Sequence, residues 1–99
     1  MLDMNKKKDG QKLTYFLSGR LDTITAPDLE KDLSESTWEA EELVLDLEKL
    51  DYISSAGLRV LLSAHKNMSK KGSMKLIHVG PSLMEIFEVT GFSDILTIE

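Results

Sequence analysis

The chain has 99 residues, 41% of them hydrophobic, which suits a single domain spanning residues 1–99 with a core of its own. A net charge of -5 at pH 7 argues against a nucleic-acid partner, and the lack of cysteine excludes disulfides and thiolate metal ligands and fits a reducing cytoplasm. No apolar run approaches the roughly 20 residues that cross a bilayer, and Met1–Lys8 lacks the apolar centre of a signal peptide, so we expect a cytoplasmic protein without membrane insertion.

Three short strands are predicted in the first half of the chain. Apolar and β-branched residues favour strands over Leu2–Lys6, Lys12–Leu17 and Leu43–Leu47. Asp9-Gly10 separates the first two, and glycine after aspartate is typical of a tight hairpin turn. We therefore expect the chain to open with an antiparallel pair.

A first helix is predicted between the second and third strands. Thr25 is expected to cap it, Pro27 lies in its first turn, and Asp28 completes the spacing of a capping box. The polar segment Ser34–Glu42 is expected to end the helix. Trp38 within that segment is predicted to cover the edge of the core.

The second half of the chain alternates between helices and strands. Helical spacing of apolar residues predicts a helix over Ser55–Lys70 that Gly72 terminates as a C-cap. A strand over Met74–Val79, a helix from Gly80 to Gly91 and a final strand over Ile95–Ile98 follow. The order β-β-α-β-α-β-α-β predicts an α/β fold with a mixed sheet and its helices packed mainly on one face.

Charge is distributed unevenly along the sequence. Acidic residues dominate between Asp28 and Asp51, whereas Tyr52–Lys75 contains no Asp or Glu. The cations of that second segment are Arg59, Lys66, Lys70, Lys71 and Lys75. An acidic flank and a mildly basic flank can orient a protein partner. A solvated surface with lysines near a helix carboxyl end is the simpler interpretation.

Two adjacent hydroxyls, Ser54 and Ser55, stand where the third strand leads into the second helix. Backbone N–H groups lack partners at a helix start and the helix dipole favours negative charge there, so a phosphate suits this position. An ordinary N-cap, worth about 1 kcal/mol, explains one serine. The second serine, with the small residues Ala56 and Gly57, predicts an exposed surface for docking or modification.

Three segments resemble motifs of one known family. Asp51–Leu62, preceded by Leu43–Leu47, resembles the signature of STAS domains, which include bacterial anti-sigma-factor antagonists and cytoplasmic domains of sulfate transporters. Gly19–Asp22 resembles the family's Gly-x-Leu/Ile-Asp turn after the second strand, and Val89–Phe92 resembles the motif that closes its third helix. The resemblance implies the STAS fold over nearly the whole chain.

The resemblance to the antagonists also implies a partner-switching function. Such an antagonist, when unphosphorylated, sequesters an anti-sigma factor that is also a serine kinase; phosphorylation releases it, and a serine phosphatase restores it. By motif position Ser55 corresponds to the phosphoacceptor, with Ser54 the second candidate. Ser54 stands where well-studied members carry an aspartate, so either one kinase contact is missing or regulation differs in this branch.

A neighbouring loop is the second candidate for partner contact. The resemblance places Asp22 beside the Ser55 end of the helix, and Thr23, Ile24 and Arg59 could complete the contact together with Ser54, Ser55, Ala56 and Gly57. An Asp followed by Thr in a loop is commonly a plain turn or cap residue, which is the simpler interpretation of Asp22. Ile24 is either an exposed partner anchor or buried under the first helix.

Enzymatic chemistry has little support in the sequence. His65 falls roughly 15 Å along the helix axis from the serines, too far to activate them. Two histidines without paired carboxylates make a weak metal site, and no glycine-rich phosphate loop is present, so we expect no catalytic residues, metal or cofactor. His78 is interpreted as a strand-end residue.

The alternative function is a constitutive STAS scaffold or a transporter-associated subunit for lipid or anion transport. Nothing in the sequence supports self-association.

Overall fold

The computed structural model describes residues 1–99 as a sheet of four strands with three helices. The strands are β1 (Leu2–Asp9), β2 (Lys12–Leu21), β3 (Glu42–Ile53) and β4 (Ser73–Ile77). The helices are α1 (Ala26–Ser36), α2 (Ser55–Ser69) and α3 (Pro81–Thr90), followed by a short 3-10 helix over Phe92–Asp94. None of the helices combines the length and the apolar character that a membrane-spanning helix needs.

The sheet is mixed and its strands lie in sequence order. β1 pairs with β2 antiparallel, while β2 with β3 and β3 with β4 are parallel. The hairpin between β1 and β2 turns at Gly10, whose φ of 63° lies in the left-handed region that glycine accepts without strain. The predicted antiparallel start and the α/β class with a mixed sheet are confirmed.

Alternate residues of the two central strands point toward the helices. These residues are Leu13, Tyr15 and Leu17 of β2 and Leu43, Leu45 and Leu47 of β3. They form one buried cluster with Leu29 of α1, Leu61 of α2 and Phe87 of α3, which places all three helices on the same face of the sheet. The other face carries half-exposed side chains such as Phe16, which is 42% exposed.

All five strand predictions had the wrong length or state. β1 continues to Asp9 and β2 to Leu21. β3 continues to Ile53 because shifts in its register with β2 accommodate polar residues that interrupt the apolar run. β4 ends at Ile77, because His78 has a φ of 55°, which a strand does not allow. The predicted strand Ile95–Ile98 is reduced to a single parallel bridge between Ile98 and Leu76, since the N–H groups of Ile95 and Leu96 donate back to the carbonyl of Phe92 in the turn that follows the 3-10 helix.

Two predictions about the first helix and its surroundings are also wrong. Thr25 is the N-cap residue of α1 as predicted, but its side chain makes no capping hydrogen bond, because its hydroxyl donates to the carbonyl of Arg20 at 2.8 Å and accepts the N–H of Asp22 at 2.9 Å. The capping box is therefore absent. Trp38 does not cover the core, since it is 79% exposed in the turn after α1.

Gly72 does not cap α2 as predicted. The C-cap is Lys70, and the N–H of Gly72 donates to the carbonyl of Met68 at 2.7 Å. A Cβ added at Gly72 would stand 1.7 Å from the carbonyl oxygen of Glu41. Glycine is required here by the close approach of two chain segments, whereas Gly91 ends α3 as predicted with a left-handed φ of 83°.

A polar cluster joins β1, β2 and α1 at the edge of the core. The Tyr15 hydroxyl donates to Asp32 Oδ1 at 2.6 Å, and Lys6 Nζ lies 2.9 Å from the same oxygen. Burial alone would raise the pKa of Asp32, but the hydrogen bonds from Tyr15 and Lys6 outweigh it and lower that pKa. Burial, followed by the hydrogen bond to Asp32, raises the pKa of Tyr15.

The lowered pKa of Asp32 predicts a loss of stability in acid. A folded-state pKa below the ordinary value of about 3.9 contributes stability that is present above that value and is lost as pH falls through the folded-state pKa. We expect the denaturation midpoint of wild type to fall more steeply between about pH 5 and pH 3 than that of Asp32→Asn. Asp28→Asn, which removes an exposed carboxylate from the same helix, is the control and should keep the wild-type slope. Equal slopes for wild type and Asp32→Asn would contradict the assignment.

Candidate functional site

The turn after β2 and the start of α2 lie side by side at one edge of the sheet. Leu21 and Ile53 are register partners at the ends of parallel β2 and β3. The N–H of Ser54 donates to the carbonyl of Leu21 at 2.9 Å, which ties the two exits together. The segment that begins at Asp22 and the segment that begins at Ser55 therefore leave the sheet as neighbours.

The two adjacent serines have different surroundings. Ser54 is the N-cap of α2, with extended backbone angles of φ -95° and ψ 175°, and its side chain accepts a hydrogen bond from the N–H of Gly57 at 3.3 Å. It is half-buried. Ser55 is the first residue of α2 and is exposed. The capping role that a serine at a helix start commonly has thus belongs to Ser54 and leaves the role of Ser55 open.

Gly57 is not part of an exposed surface as predicted. It is buried, and a Cβ at this position would stand 2.7 Å from Cγ of Leu21 and 2.9 Å from Cγ1 of Ile53. Its small size is needed because the first turn of α2 packs onto the ends of β2 and β3. Ala56 is half-buried and packs against the core.

Asp22 organises the turn between β2 and α1. Its Oδ1 accepts hydrogen bonds from the N–H groups of Ile24 and Thr25, both at 3.0 Å. The Thr25 N–H is the main reason why the pKa of Asp22 lies below its ordinary value. The turn interpretation of Asp22 is correct, and the bonds favour the ionised form of its carboxylate, one residue after the Leu21 carbonyl that accepts the Ser54 N–H.

The loop after β2 and the first turns of α2 expose further side chains. Ile24 is 83% exposed, which excludes the alternative that it is buried under α1. Thr23 and Arg59 are exposed as well. We call Asp22, Thr23, Ile24, Ser55 and Arg59 the helix-tip surface.

Sequence reasoning missed the pair formed by Arg20 and Tyr52. The two residues are register partners on β2 and β3, and the Arg20 guanidinium stands 4.3 Å from the centroid of the Tyr52 ring, a cation–π contact. Arg20 Nε also lies 3.7 Å from Asp22 Oδ2. Only the strand register reveals the pair, because the residues are far apart in the chain.

Neither histidine is part of the helix-tip surface. His78 is not the strand-end residue that was predicted, because its φ of 55° places it beyond β4. Its Nδ1 lies 3.0 Å from Oδ2 of the buried Asp46, so a carboxylate does stand beside it, contrary to the sequence-based expectation. No group of three or more His, Cys, Asp or Glu side chains is arranged to hold a metal ion.

The chain folds as a small α/β domain with a four-stranded mixed sheet and its helices on one face. The domain exposes a serine at the start of its central helix. The model of the family described as "STAS domain" matches residues 3–99. The chain belongs to this family.

Two named relatives and one solved structure show how closely the chain matches. BtrV of Bordetella bronchiseptica is 39% identical over 94 residues, which cover 93% of this chain and 80% of BtrV. The anti-sigma-B factor antagonist of Listeria monocytogenes is 32% identical over 98 residues, 95% of this chain and 84% of the relative. An anti-sigma factor antagonist from Mycobacterium paratuberculosis superposes with a TM-score of 0.90 at 21% identity, over 99% of this chain and 85% of that one. By homology the chain is therefore of the anti-sigma factor antagonist type.

Proposed function

We propose that this chain binds an anti-sigma factor that is also a serine kinase, and that phosphorylation of Ser55 breaks the complex. The observation that carries the proposal is the exposed position of Ser55 at the first residue of α2, directly after Ser54, whose N–H donates to the residue before Asp22. In the unmodified state the helix-tip surface offers a hydroxyl and an apolar side chain, Ile24, to the partner. We place this exchange in the cytoplasm, where the kinase finds ATP.

The surroundings of the two serines support Ser55 over Ser54 as the acceptor. A kinase must bring the hydroxyl oxygen in line with the transferred phosphoryl group, which needs an accessible side chain. Ser55 is exposed, whereas Ser54 is half-buried and its oxygen accepts the N–H of Gly57. Phosphorylation of Ser54 would in addition disturb the cap of α2.

The chemistry of the switch needs only ATP and water as co-reactants. The Ser55 hydroxyl gives its proton to a base of the kinase as its oxygen forms a bond to the γ-phosphorus of ATP, and the bond from that phosphorus to the leaving oxygen of ADP breaks. The product carries about -1.5 to -2 charges at pH 7. A serine phosphatase reverses the step by hydrolysis, which returns the hydroxyl and releases inorganic phosphate.

Release of the partner follows from charge and bulk at the surface rather than from refolding. The N–H groups of Ser55 and Ala56 in the first turn of α2 have no helical partner, while that of Gly57 is capped by Ser54. Such a helix start favours an anion, so the domain can carry the phosphate without rearranging. The partner must then approach a phosphate close to two further negative charges. One is the carboxylate of Asp22, and the other is Asp51, four residues before Ser55 in the sequence. Desolvation of these charges and repulsion of an acidic group on the partner both oppose the complex.

Phosphopeptide mapping tests the proposal. The purified chain is incubated with ATP and, separately, with each anti-sigma factor kinase encoded in its source genome, and then digested and analysed by mass spectrometry. We expect one phosphoryl group on Ser55, none on Ser55→Ala, and wild-type labelling of Ser54→Ala. Labelling of Ser54 alone would move the switch by one residue. No labelling by any of the kinases would favour a constitutive STAS scaffold or transporter-associated subunit.

A further inference from the structure

Arg59 lies close in sequence to Ser55, the proposed phosphoacceptor, and has no ionic partner. The ion pairs of the structure use the cations Lys6, Lys8, Arg20, Lys75 and His78. Arg59 is exposed and in none of them, and the segment from residue 52 to residue 75 contains no acidic residue that could reach it along α2. In a chain with a net charge of -5, this guanidinium is available to an incoming anion.

Helix geometry directs Arg59 toward Ser55. The two residues are four positions apart in α2, and such residues stand one above the other with Cβ atoms about 5 to 6 Å apart. Side chains on a helix lean toward its amino end, so the long side chain of Arg59 extends toward the first turn. An anion placed four residues before a cation is the favourable order of such a pair.

The other nearby arginine is already engaged. Arg20 stacks on Tyr52 and lies 3.7 Å from Asp22, so its charge is shared before any phosphate arrives. Arg59 is therefore the cation best placed to receive a phosphate on Ser55.

We propose that a phosphate on Ser55 is held by Arg59 across one turn of α2. The inference rests on the proposed phosphorylation of Ser55 and describes its consequence. The fork of N–H donors on the guanidinium matches phosphate oxygens, which makes a charge-assisted pair with two parallel hydrogen bonds available. Phosphorylation then changes the helix-tip surface in two ways. It adds an anion, and it engages the guanidinium of Arg59, which is then no longer available to the partner.

The phosphate itself reports this pair without any partner. Protein with phosphoserine genetically incorporated at position 55 is titrated at physiological ionic strength, about 0.15 M, and followed by phosphorus-31 NMR. A neighbouring cation favours the doubly charged phosphate, so it lowers the second phosphate pKa, ordinarily about 6. We expect Arg59→Gln to raise that pKa by about 0.2 to 0.4 relative to the wild-type phosphoprotein.

Lys66→Gln is the matched control for the NMR experiment. It removes one positive charge from an exposed position of the same helix, about 16 Å from Ser55 along the axis, which is beyond the Debye length of about 8 Å at physiological salt. The control should leave the phosphate pKa at the wild-type value. An identical phosphate pKa in the wild-type and Arg59→Gln phosphoproteins would overturn the pair.

Partner titrations separate this inference from the function on which it rests. We expect phosphorylation to reduce partner affinity by a larger factor in wild type than in Arg59→Gln, because the variant has no guanidinium to withdraw. An equal loss in the two proteins would overturn the part of Arg59 in release. No loss in either protein would instead overturn the proposed switch at Ser55, whatever the NMR titration shows.

Discussion

Replacement of Ser55 by Asp is expected to weaken binding of the anti-sigma factor by about 10- to 100-fold, whereas Ser55→Ala should stay within about threefold of wild type. The aspartate adds a permanent negative charge and a larger group at an exposed position that leaves the same edge of the sheet as Asp22. Alanine removes only a hydroxyl that has no capping role. Isothermal titration calorimetry of each variant against the same purified partner measures the difference.

Two control variants separate the effect of position 55 from the effect of an added charge elsewhere on α2 and from the effect of losing the helix cap. Asn67→Asp adds one negative charge to an exposed site of α2 about 18 Å away along the axis and should bind like wild type. Ser54→Ala removes the cap and should cost about 1 kcal/mol of stability with little loss of affinity. Equal affinities of Ser55→Asp and Ser55→Ala would contradict the switch.

Gly72→Ala is expected to reduce the free energy of unfolding by more than about 3 kcal/mol. The new methyl group would stand 1.7 Å from the carbonyl oxygen of Glu41, and that carbonyl accepts the N–H of Ser73 at 2.9 Å. Relief of the overlap would have to move a backbone segment and stretch a hydrogen bond at the start of β4. Neither change is available to a flexible side chain, which is why the expected cost is large.

Gly80→Ala is the matched control for this substitution. No atom lies within 4 Å of a Cβ at Gly80, and its φ of -71° suits any residue, so we expect a change within about 1 kcal/mol. Urea unfolding followed by far-UV circular dichroism compares the two variants, because the exposed Trp38 makes fluorescence a weak reporter of the core. Similar midpoints for Gly72→Ala and Gly80→Ala would contradict the packing argument.

The element order and the serine at a helix start could be predicted because they depend on local signals. The periodicity of apolar residues predicted α2, and the signals for a helix start correctly placed its first residue at Ser55. The same signals placed α3 between Pro81 and Gly91. Periodicity did not predict the length of β3, which depends on its register with β2. It also did not predict the 3-10 helix in the segment after α3.

The roles of individual residues at the site were less accessible to sequence reasoning. Gly57 was interpreted as part of an open surface because small residues leave room, but the room is filled by Leu21 and Ile53. Arg20 and Tyr52 meet only through the pairing of β2 with β3. Small size shows that something approaches closely, and the sequence does not reveal whether it comes from inside or outside the domain.

Local pattern alone was sufficient to establish the class of fold, the start of α2 and the presence of two hydroxyls there, since propensity, capping and periodicity act over a few neighbouring residues. The tertiary structure decided that Ser54 is half-buried while Ser55 is exposed, that Ile24 faces solvent, and that Gly57 and Gly72 serve internal packing. Those outcomes depend on contacts between segments far apart in the chain, and such contacts exist only once the sheet has assembled and the helices have packed on it.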